Sequence, residues 1–262
     1  MVTIPVTSAL ILAGLLYLRG WLRVRRTSPR AIPMWRAASF LSGLVSVWLA
    51  VASPLAMLDE ELLTAHMAQH LLLMTIGPAL ILLGFPALAF GIPNLFRRLT
   101  LNPVLCWCAS AAVLIAWHVP AVFALGFRYM LWHDLEHTSF FVAGLLFWQP
   151  VIPSRPGGCP AQWSTLLYLF TATLPCDALS AFLAFCGRVV YHAYLNVPRH
   201  FDLSALQDQE CAGALMWTCV TFAYLIPAVL VSVGLLSSAG NSAAARDSLR
   251  STVADAEAPS NL

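Results

Sequence analysis

The chain has 262 residues, of which 60% are hydrophobic and only 10% are charged, whereas about a quarter of the residues in an ordinary soluble domain are charged. This composition excludes an ordinary soluble globular protein and indicates an integral membrane protein. All 14 basic residues are arginine and the net charge is +2, so the balance of charge gives no indication of a nucleic-acid partner.

Seven apolar runs, separated by polar residues, glycine and proline, predict seven transmembrane helices. A helix needs about 20 apolar residues to cross a hydrocarbon core of ~30 Å. The predicted helices cover residues 4–19, 36–58, 62–84, 102–124, 130–152, 163–187 and 209–236. The predicted fold class is therefore all-α, a polytopic membrane bundle formed by residues 1–236.

Two segments outside these helices have their own signatures. Residues 237–262 are rich in Ala, Ser and acidic residues, which predicts a disordered cytoplasmic tail. Residues 85–96 are apolar but short, and Pro86, Gly91 and Pro93 interrupt them. We interpret this segment as an interfacial or re-entrant piece at the cytoplasmic face, where it could dock a partner.

The arginines predict the orientation of the bundle. The first apolar run is followed, not preceded, by positive charges, so we interpret it as an uncleaved span with an outer N-terminus instead of a signal peptide. The cytoplasmic side then holds Arg19, Arg23, Arg25, Arg26, Arg30, Arg36, Arg97, Arg98, Arg155, Arg246 and Arg250. The outer side holds only Arg128, Arg188 and Arg199. This asymmetry satisfies the positive-inside rule, which the opposite orientation would invert.

Histidines form the strongest local pattern in the sequence. His66 and His70 form one His-x-x-x-His pair, His133 and His137 form a second, and His118 lies between them. Side chains four residues apart share one face of a helix, so each pair can present two imidazoles to one point. With the predicted topology all seven histidines fall on the outer side, although the topology was inferred without them.

This cluster predicts a metal site. The candidate ligands are His66, His70, His118, His133 and His137. Neutral imidazole suits borderline first-row metals, and thioether sulfur adds a preference for Cu(I). Met74 and Met216 are candidate auxiliary ligands, and Asp134, Glu136 and Asp177 are candidates to orient the imidazoles. Copper fits this set better than zinc, because the cysteines lie elsewhere.

Several of these residues also have simpler interpretations. Single histidines near helix ends, such as His192 and His200, are usually interfacial or hydrogen-bonded. Met74 and Met216 could serve packing alone, and Asp177 could bond a neighbouring hydroxyl or carbonyl group.

The start of the seventh helix and the cysteines are interpreted as structural. Asp208, Gln209 and Glu210 are predicted to cap that helix. The seven cysteines contain no CxxC or CxxCH motif, and those within spans are interpreted as small apolar residues. A disulfide between Cys186 and Cys211 is a weak alternative.

The motifs together resemble those of the caa3-type cytochrome c oxidase assembly factors, the Bacillus-type CtaG-like membrane proteins. The resemblance covers roughly residues 35–236. It is carried by His66-Met-Ala-Gln-His70-Leu-Leu-Leu, Trp117-His118-Val-Pro120, His133-Asp-Leu-Glu-His137, Phe147-Trp148-Gln-Pro150, Asp208-Gln209 and Gly213-Ala-Leu-Met216-Trp217.

The resemblance implies a non-catalytic protein of the bacterial inner membrane that helps to assemble haem-copper oxidase. The implied partners are cytochrome c oxidase subunits, the lipid bilayer and a copper donor protein, with copper as the bound metal. Two alternatives stay open at this point. One is a b-type haem electron carrier, in which histidines from two helices clamp a haem, and the other is a membrane di-metal enzyme with histidine boxes.

Overall fold

The structure is a computed structural model that describes residues 3–28, 33–84, 89–91, 102–152, 162–198 and 202–257. The described residues form helices and turns, with no strand among them. The helices are α1 (Thr3–Thr27), α2 (Met34–Val51), α3 (Leu63–Leu83), α4 (Pro103–His118), α5 (Pro120–Arg128), α6 (Met130–Trp148), α7 (Trp163–Phe185) and α8 (Ala205–Glu257). Two 3₁₀ turns, Pro54–Met57 and His192–Leu195, lie in the connections. The all-α prediction is confirmed.

Five described helices are long and apolar enough to cross a membrane: α1, α2 extended to Met57, α3, α7 and the part of α8 up to Ser237. A sixth is obtained if α4 and α5 form one broken span. The first two turns of α6 contain two histidines and two carboxylates, which reduces its hydropathy. These long apolar helices identify the chain as an integral membrane protein. The count of seven spans and the outer position of the N-terminus remain predictions.

The fourth helix was predicted to cover residues 102–124, and its predicted C-terminal end is wrong. Helix α4 stops at His118, and α5 continues at an angle of 75° to it. The residue between them, Val119, is extended at φ −66° and ψ 124°, because Pro120 disfavours the helical conformation for the residue before it. The bend leaves His118 at the C-terminal end of α4.

Helix α8 is longer than predicted. It runs from Ala205 to Glu257, about 80 Å at 1.5 Å per residue, so residues 237–257 are helical, in contrast to the predicted disordered tail. Ala, which has the highest helix propensity, is the most frequent residue in this stretch. The division into a membrane domain of residues 1–236 and a separate tail stays a prediction.

Helix α3 is the most enclosed of the candidate spans, and it contacts α2, α6 and α8. Its middle part, Leu71–Ile76, is π-helical, with the Gly77 amide donating to the Leu72 carbonyl. Pro78 has no amide hydrogen to donate to the carbonyl of Met74, which favours this change of register. Gly144 of α6 packs against that same carbonyl so closely that a Cβ atom would overlap it. The tight contact fixes α6 beside α3.

The end of the bundle opposite the histidines is the arginine-rich one. Arg36 donates from Nη1 to the Leu83 carbonyl at 2.8 Å, and the Tyr17 hydroxyl donates to the Gly84 carbonyl at 2.7 Å. These bonds satisfy carbonyls at the C-terminal end of α3. Of the predicted interfacial segment 85–96, only residues 89–91 are described, and Phe90 contacts Tyr17 and Phe40.

At the histidine end, Asp208 holds the start of α3, which corrects its predicted role as a cap of its own helix. Its carboxylate accepts from the Leu63 amide at 2.8 Å and from the Thr64 amide at 3.0 Å. The Thr64 hydroxyl donates to it at 2.7 Å. Asp208 lies in the first turn of α8, but the free amides that its carboxylate reaches belong to α3.

Gln209 fixes the connection that follows α7. Its amide oxygen accepts from the Val190 amide at 2.7 Å, and its amide nitrogen donates to the Leu183 and Arg188 carbonyls. This side chain therefore does not cap α8 either, and it ties the connection to the helix bundle.

The Asp208 contact predicts a loss of stability on truncation. Asp208→Ala leaves two amides of α3 without a partner in a buried place, which costs about 1–3 kcal/mol. We expect a lower melting temperature of the purified protein in detergent than for Asp202→Ala, which removes an exposed carboxylate nearby. Equal melting temperatures for the two variants would contradict the capping role.

Candidate metal centre

The two His-x-x-x-His pairs meet at one end of the bundle. His66 and His70 come from the first turns of α3, with ring centroids 4.3 Å apart, and His133 and His137 come from the first turns of α6, 4.2 Å apart. Across the two helices, the His66 and His133 rings are 5.9 Å apart, and the His70 and His137 rings are 6.0 Å apart. The convergence of imidazoles from separate helices is therefore a feature of the structure.

Glu136 lies between the histidines of α3. Its Oε1 atom is 3.4 Å from His66 Nε2 and 3.3 Å from His70 Nε2, and the residue is only 1% exposed. The contact with His70 is too poorly aligned for a hydrogen bond, and the Oε2 atom has no hydrogen-bond partner. Glu136 was predicted as an orienting residue, whereas here its oxygen lies in direct contact with two candidate ligands.

A glycine makes room for this carboxylate. A Cβ atom on Gly126 of α5 would lie 2.6 Å from Glu136 Oε2, which is closer than van der Waals contact permits. The bend between α4 and α5 brings this glycine to the cluster. The proline that ends α4 therefore contributes to the shape of the site.

A second carboxylate, which is not among the predicted site residues, lies at the edge of the cluster. Asp59 Oδ2 is 3.0 Å from His133 Nε2. The Asp59 side chain is 4% exposed and the His133 side chain is 28% exposed, so this pair is the part of the cluster nearest to solvent. The sequence does contain a short acidic run, residues 59–61, directly before the helix with His66. This run is not part of a His-x-x-x-His motif, so nothing in the motif pointed to it.

His118 has a defined ring orientation. Its Nδ1 atom is 2.7 Å from the Leu114 carbonyl, and because a carbonyl only accepts, Nδ1 carries the hydrogen. In neutral imidazole the Nε2 atom then has a free lone pair. This Nε2 is buried without a hydrogen-bond partner, and the His118 ring is 6.0 Å from the His70 ring.

Two tyrosines of the α7–α8 connection close the histidine end. The Tyr191 hydroxyl donates to the His118 carbonyl at 3.1 Å, and the Tyr194 hydroxyl donates to the Asp59 carbonyl. Burial raises the pKa of both hydroxyls, and the nearby acidic side chains raise it further. Both tyrosines therefore stay protonated and remain donors, and the connection is fixed across the site.

The donor atoms form two overlapping triads. One consists of His66, His70 and Glu136, and the other of Asp59, His66 and His133, with one ligand atom per residue and all atoms of a triad within 4.8 Å of one another. Ligand atoms held ~2.0–2.1 Å from a tetrahedral ion lie roughly 3.3 Å apart. The observed separations of 3.3 and 3.4 Å around Glu136 match that spacing. They exceed the about 2.7–2.9 Å of a strong charge-assisted hydrogen bond.

The other predicted site residues lie outside the two triads. Asp134 is exposed on α6, and Asp177 is half-buried on α7 with no contact to the cluster within the part of the chain that the structure describes. His192 is exposed, and His200 lies outside the described residues. Cys186 and Cys211 are free thiols, so the weak disulfide alternative is wrong. Met74 and Met216 line a cavity that also reaches His70 and His118.

This fold and site define a helical membrane protein with a buried cluster of imidazole and carboxylate groups at one end of its bundle. The chain belongs to the cytochrome c oxidase caa3 assembly factor family, whose sequence model matches residues 15–238. The match includes every residue of the two triads. The suspected family is therefore confirmed.

Proteins similar to this chain occur in mycobacteria. An uncharacterized protein of Mycobacterium leprae (strain TN) is 23% identical over 251 residues, which cover 87% of this chain and 37% of that protein. Uncharacterized proteins of Mycobacterium bovis and Mycobacterium tuberculosis are each 22% identical over 244 residues, which cover 84% of this chain and 36% of theirs. The chain thus spans little more than a third of the length of these curated relatives. No solved structure matches it.

The different burial of the histidines predicts an order of chemical reactivity. Diethyl pyrocarbonate modifies accessible imidazole nitrogens, so in metal-free folded protein we expect His192 to react first and half-buried His133 next. His66, His70, His118 and His137 are buried and should react last. Peptide mass spectrometry after a time course measures the order, with unfolded protein as the control in which all sites react alike. Early modification of His70 or His118 would contradict the described packing.

Proposed function

We propose that this chain binds copper through its histidine and carboxylate cluster and assists the insertion of copper into cytochrome c oxidase. The proposal is supported by membership of the oxidase assembly factor family. The binding of a metal ion is inferred from one observation, the buried triad formed by His66, His70 and Glu136. Copper is here a cargo and not a resident cofactor, and the chain acts without catalysis.

The chemistry of the triad supports binding of a metal ion. A buried carboxylate is costly in a membrane protein unless a cation or hydrogen-bond donors compensate its charge. Among the described residues, the ion-pair partners of Glu136 are His66 and His70, and the chain contains no lysine. A metal ion on Glu136 Oε1 and the two Nε2 atoms would compensate the carboxylate and leave the imidazoles neutral.

The more exposed pair, Asp59 and His133, suits the role of a first acceptor for the ion. It shares His66 with the inner triad, so an ion can pass inward by exchange of ligands without leaving the cluster. In the proposed orientation the cluster lies at the outer face of the membrane. A copper donor protein and an oxidase subunit would then approach from the periplasmic or extracellular side.

The size of the adjoining cavity favours an ion over a haem. The cavity beside His70 and His118 has a volume of about 40 Å³, enough for about three water molecules. Pockets for drug-sized ligands and cofactors measure ~300 Å³ or more. The histidines of α3 and α6 have aromatic side chains packed against them, including Phe140 at 4.0 Å from the His70 ring, so a porphyrin would require the helices to separate.

The proposal predicts loss of copper from variants of the triad. Purified protein in nanodiscs is loaded with copper, desalted and analysed for metal content by atomic absorption. We expect the wild-type protein to retain copper, and His66→Ala and Glu136→Gln to reduce the affinity by at least about tenfold, since even loss of a residue that only orients a ligand costs 10–100-fold. His192→Ala, which removes an exposed histidine outside the cluster, is the matched control.

Retention of copper by His66→Ala and Glu136→Gln at the level of His192→Ala would refute binding at this triad. Circular dichroism of each variant shows whether the helices are intact. A visible spectrum of the same samples tests the haem alternative, because a bound haem gives a strong Soret absorption.

A cellular experiment tests the assembly function itself. We expect membranes of cells that lack the protein to have less cytochrome c oxidase activity and less oxidase-bound copper, with partial recovery when copper is added to the medium. Complementation with wild-type protein should restore activity, and complementation with Glu136→Gln should not. Unchanged oxidase activity in cells without the protein would reject the assembly role.

A further inference from the structure

A second group of metal-binding side chains lies deeper in the bundle. The cavity of about 40 Å³ extends from His70 and His118 towards the middle of the bundle, where Phe147 and Tyr224 contribute to its wall. Its wall also contains the sulfur-bearing residues Met67, Met74, Cys176 and Met216. We call this space the sulfur chamber. It lies outside both imidazole and carboxylate triads, although it shares His70 with one of them.

Four sulfur-bearing residues line this cavity and come from three different helices. The whole chain contains 7 methionines and 7 cysteines in 262 residues, yet three methionines and one cysteine contribute to the wall of this one cavity. Met67 and Met74 belong to α3, Cys176 to α7 and Met216 to α8. Met67, Cys176 and Met216 are buried. Packing alone does not require sulfur at these places, since Leu fills the same volume.

Two imidazoles with ring nitrogens that make no hydrogen bond face the same cavity. Neither ring nitrogen of His70 makes a hydrogen bond, although its Nε2 atom lies 3.3 Å from Glu136 Oε1, and the Nε2 atom of His118 makes none either. Both residues are 6% exposed, so bulk water does not compensate these atoms. Buried polar atoms without a partner are uncommon and point to a missing ligand or water. The fixed tautomer of His118 leaves its lone pair available to a cation.

The wall is a better match for a soft ion than for water or a hard ion. A buried water needs two to four polar partners, but most of this wall is aliphatic, aromatic or sulfur-bearing. Among the polar groups, the Ser110 hydroxyl is bound to the Cys106 and Ala143 carbonyls. Thioether sulfur is a soft ligand and adds a preference for Cu(I).

The local backbone agrees with a functional site at this place. The π-helical segment Leu71–Ile76 begins directly after His70 and carries Met74. Single π turns within helices are frequent at functional sites. The segment places a thioether and an imidazole from the same helix on the wall of one cavity.

We propose that the sulfur chamber is a second metal site, which binds Cu(I) through the thioether groups together with His70 or His118. His70 belongs to both the inner triad and the chamber, so an ion can move between them by exchange of ligands with no change of oxidation state. The inference rests on the proposed function only in taking copper as the cargo. The protein would then have two metal sites, an outer one with nitrogen and oxygen ligands and an inner one with sulfur ligands.

The test uses full-length protein in nanodiscs, loaded anaerobically with one or two equivalents of Cu(I). X-ray absorption spectroscopy detects sulfur ligands directly, and competition with a chromogenic Cu(I) chelator measures affinity. The variant Met67→Leu/Met74→Leu/Met216→Leu removes three chamber thioethers. The matched control is Met34→Leu/Met57→Leu/Met130→Leu, which changes three exposed methionines.

We expect sulfur scattering from the wild-type and control proteins. In the chamber variant we expect its loss and an affinity for Cu(I) lower by at least about tenfold, as for loss of a residue that supports a metal ligand. Retention of Cu(II), which prefers the nitrogen and oxygen ligands, should be unchanged in the chamber variant. If that variant does not fold, the spectrum of the wild-type protein alone decides.

Cu(I) bound by nitrogen and oxygen only in the wild-type protein, or equal affinities of chamber variant and control, would overturn the sulfur chamber. Those results leave the outer triad and the assembly role intact, provided that Cu(II) retention still depends on His66 and Glu136. Conversely, sulfur-bound Cu(I) together with normal oxidase activity in cells lacking the protein would support the chamber and reject the assembly role. Failure of the wild-type protein to bind either ion would overturn both.

Discussion

The contact between a buried carboxylate and two imidazoles is the constraint on which the rest of the histidine end depends. Glu136 is enclosed at the point where α3, α5 and α6 meet, with His66 and His70 on one side and Gly126 on the other. An ionised carboxylate in such a place needs a counter-charge. Imidazoles can supply it by protonation or, as proposed, by holding a metal ion.

The contact is maintained because the backbone segments around it are fixed in position. Hydrogen bonds at the helix ends fix most of these segments. Asp208 holds the start of α3, and Gln209 holds the connection after α7. Tyr191 and Tyr194 then fix that connection to the end of α4 and to Asp59. Hydrophobic association between helices is weak inside a bilayer, so directional bonds and close contacts such as that of Gly144 carry much of the specificity.

The sequence predicted the convergence of the histidines because it follows from two simple rules. Residues four apart share a helical face, and successive spans alternate in direction, so the beginning of α3, the end of α4 and the beginning of α6 lie at the same end. What it did not predict depends on contacts between distant segments. Asp59 pairs with His133 through the fold of a short turn, and Asp208 reaches amides of a helix 144 residues away in sequence. The bend at Pro120 had a visible signal, since proline restricts the residue before it, but its consequence for Glu136 arises only from packing.

The ligand types change with depth, and this change suggests how one protein could both accept and release a metal ion. Near solvent the donors are a carboxylate and a half-buried imidazole, next are buried imidazoles around Glu136, and deepest are imidazoles beside thioethers. Imidazole binds copper in either oxidation state and thioether adds a preference for Cu(I), so transfer between these donors would be of Cu(I) throughout, without a change of oxidation state. In the proposed transfer, neighbouring sites share His66 or His70, so an ion would exchange one ligand at a time and would not be left without ligands in a low-dielectric environment. A protein whose role is transfer benefits from such graded, overlapping sites, since a single closed site with all ligands optimal would hold its ion too long.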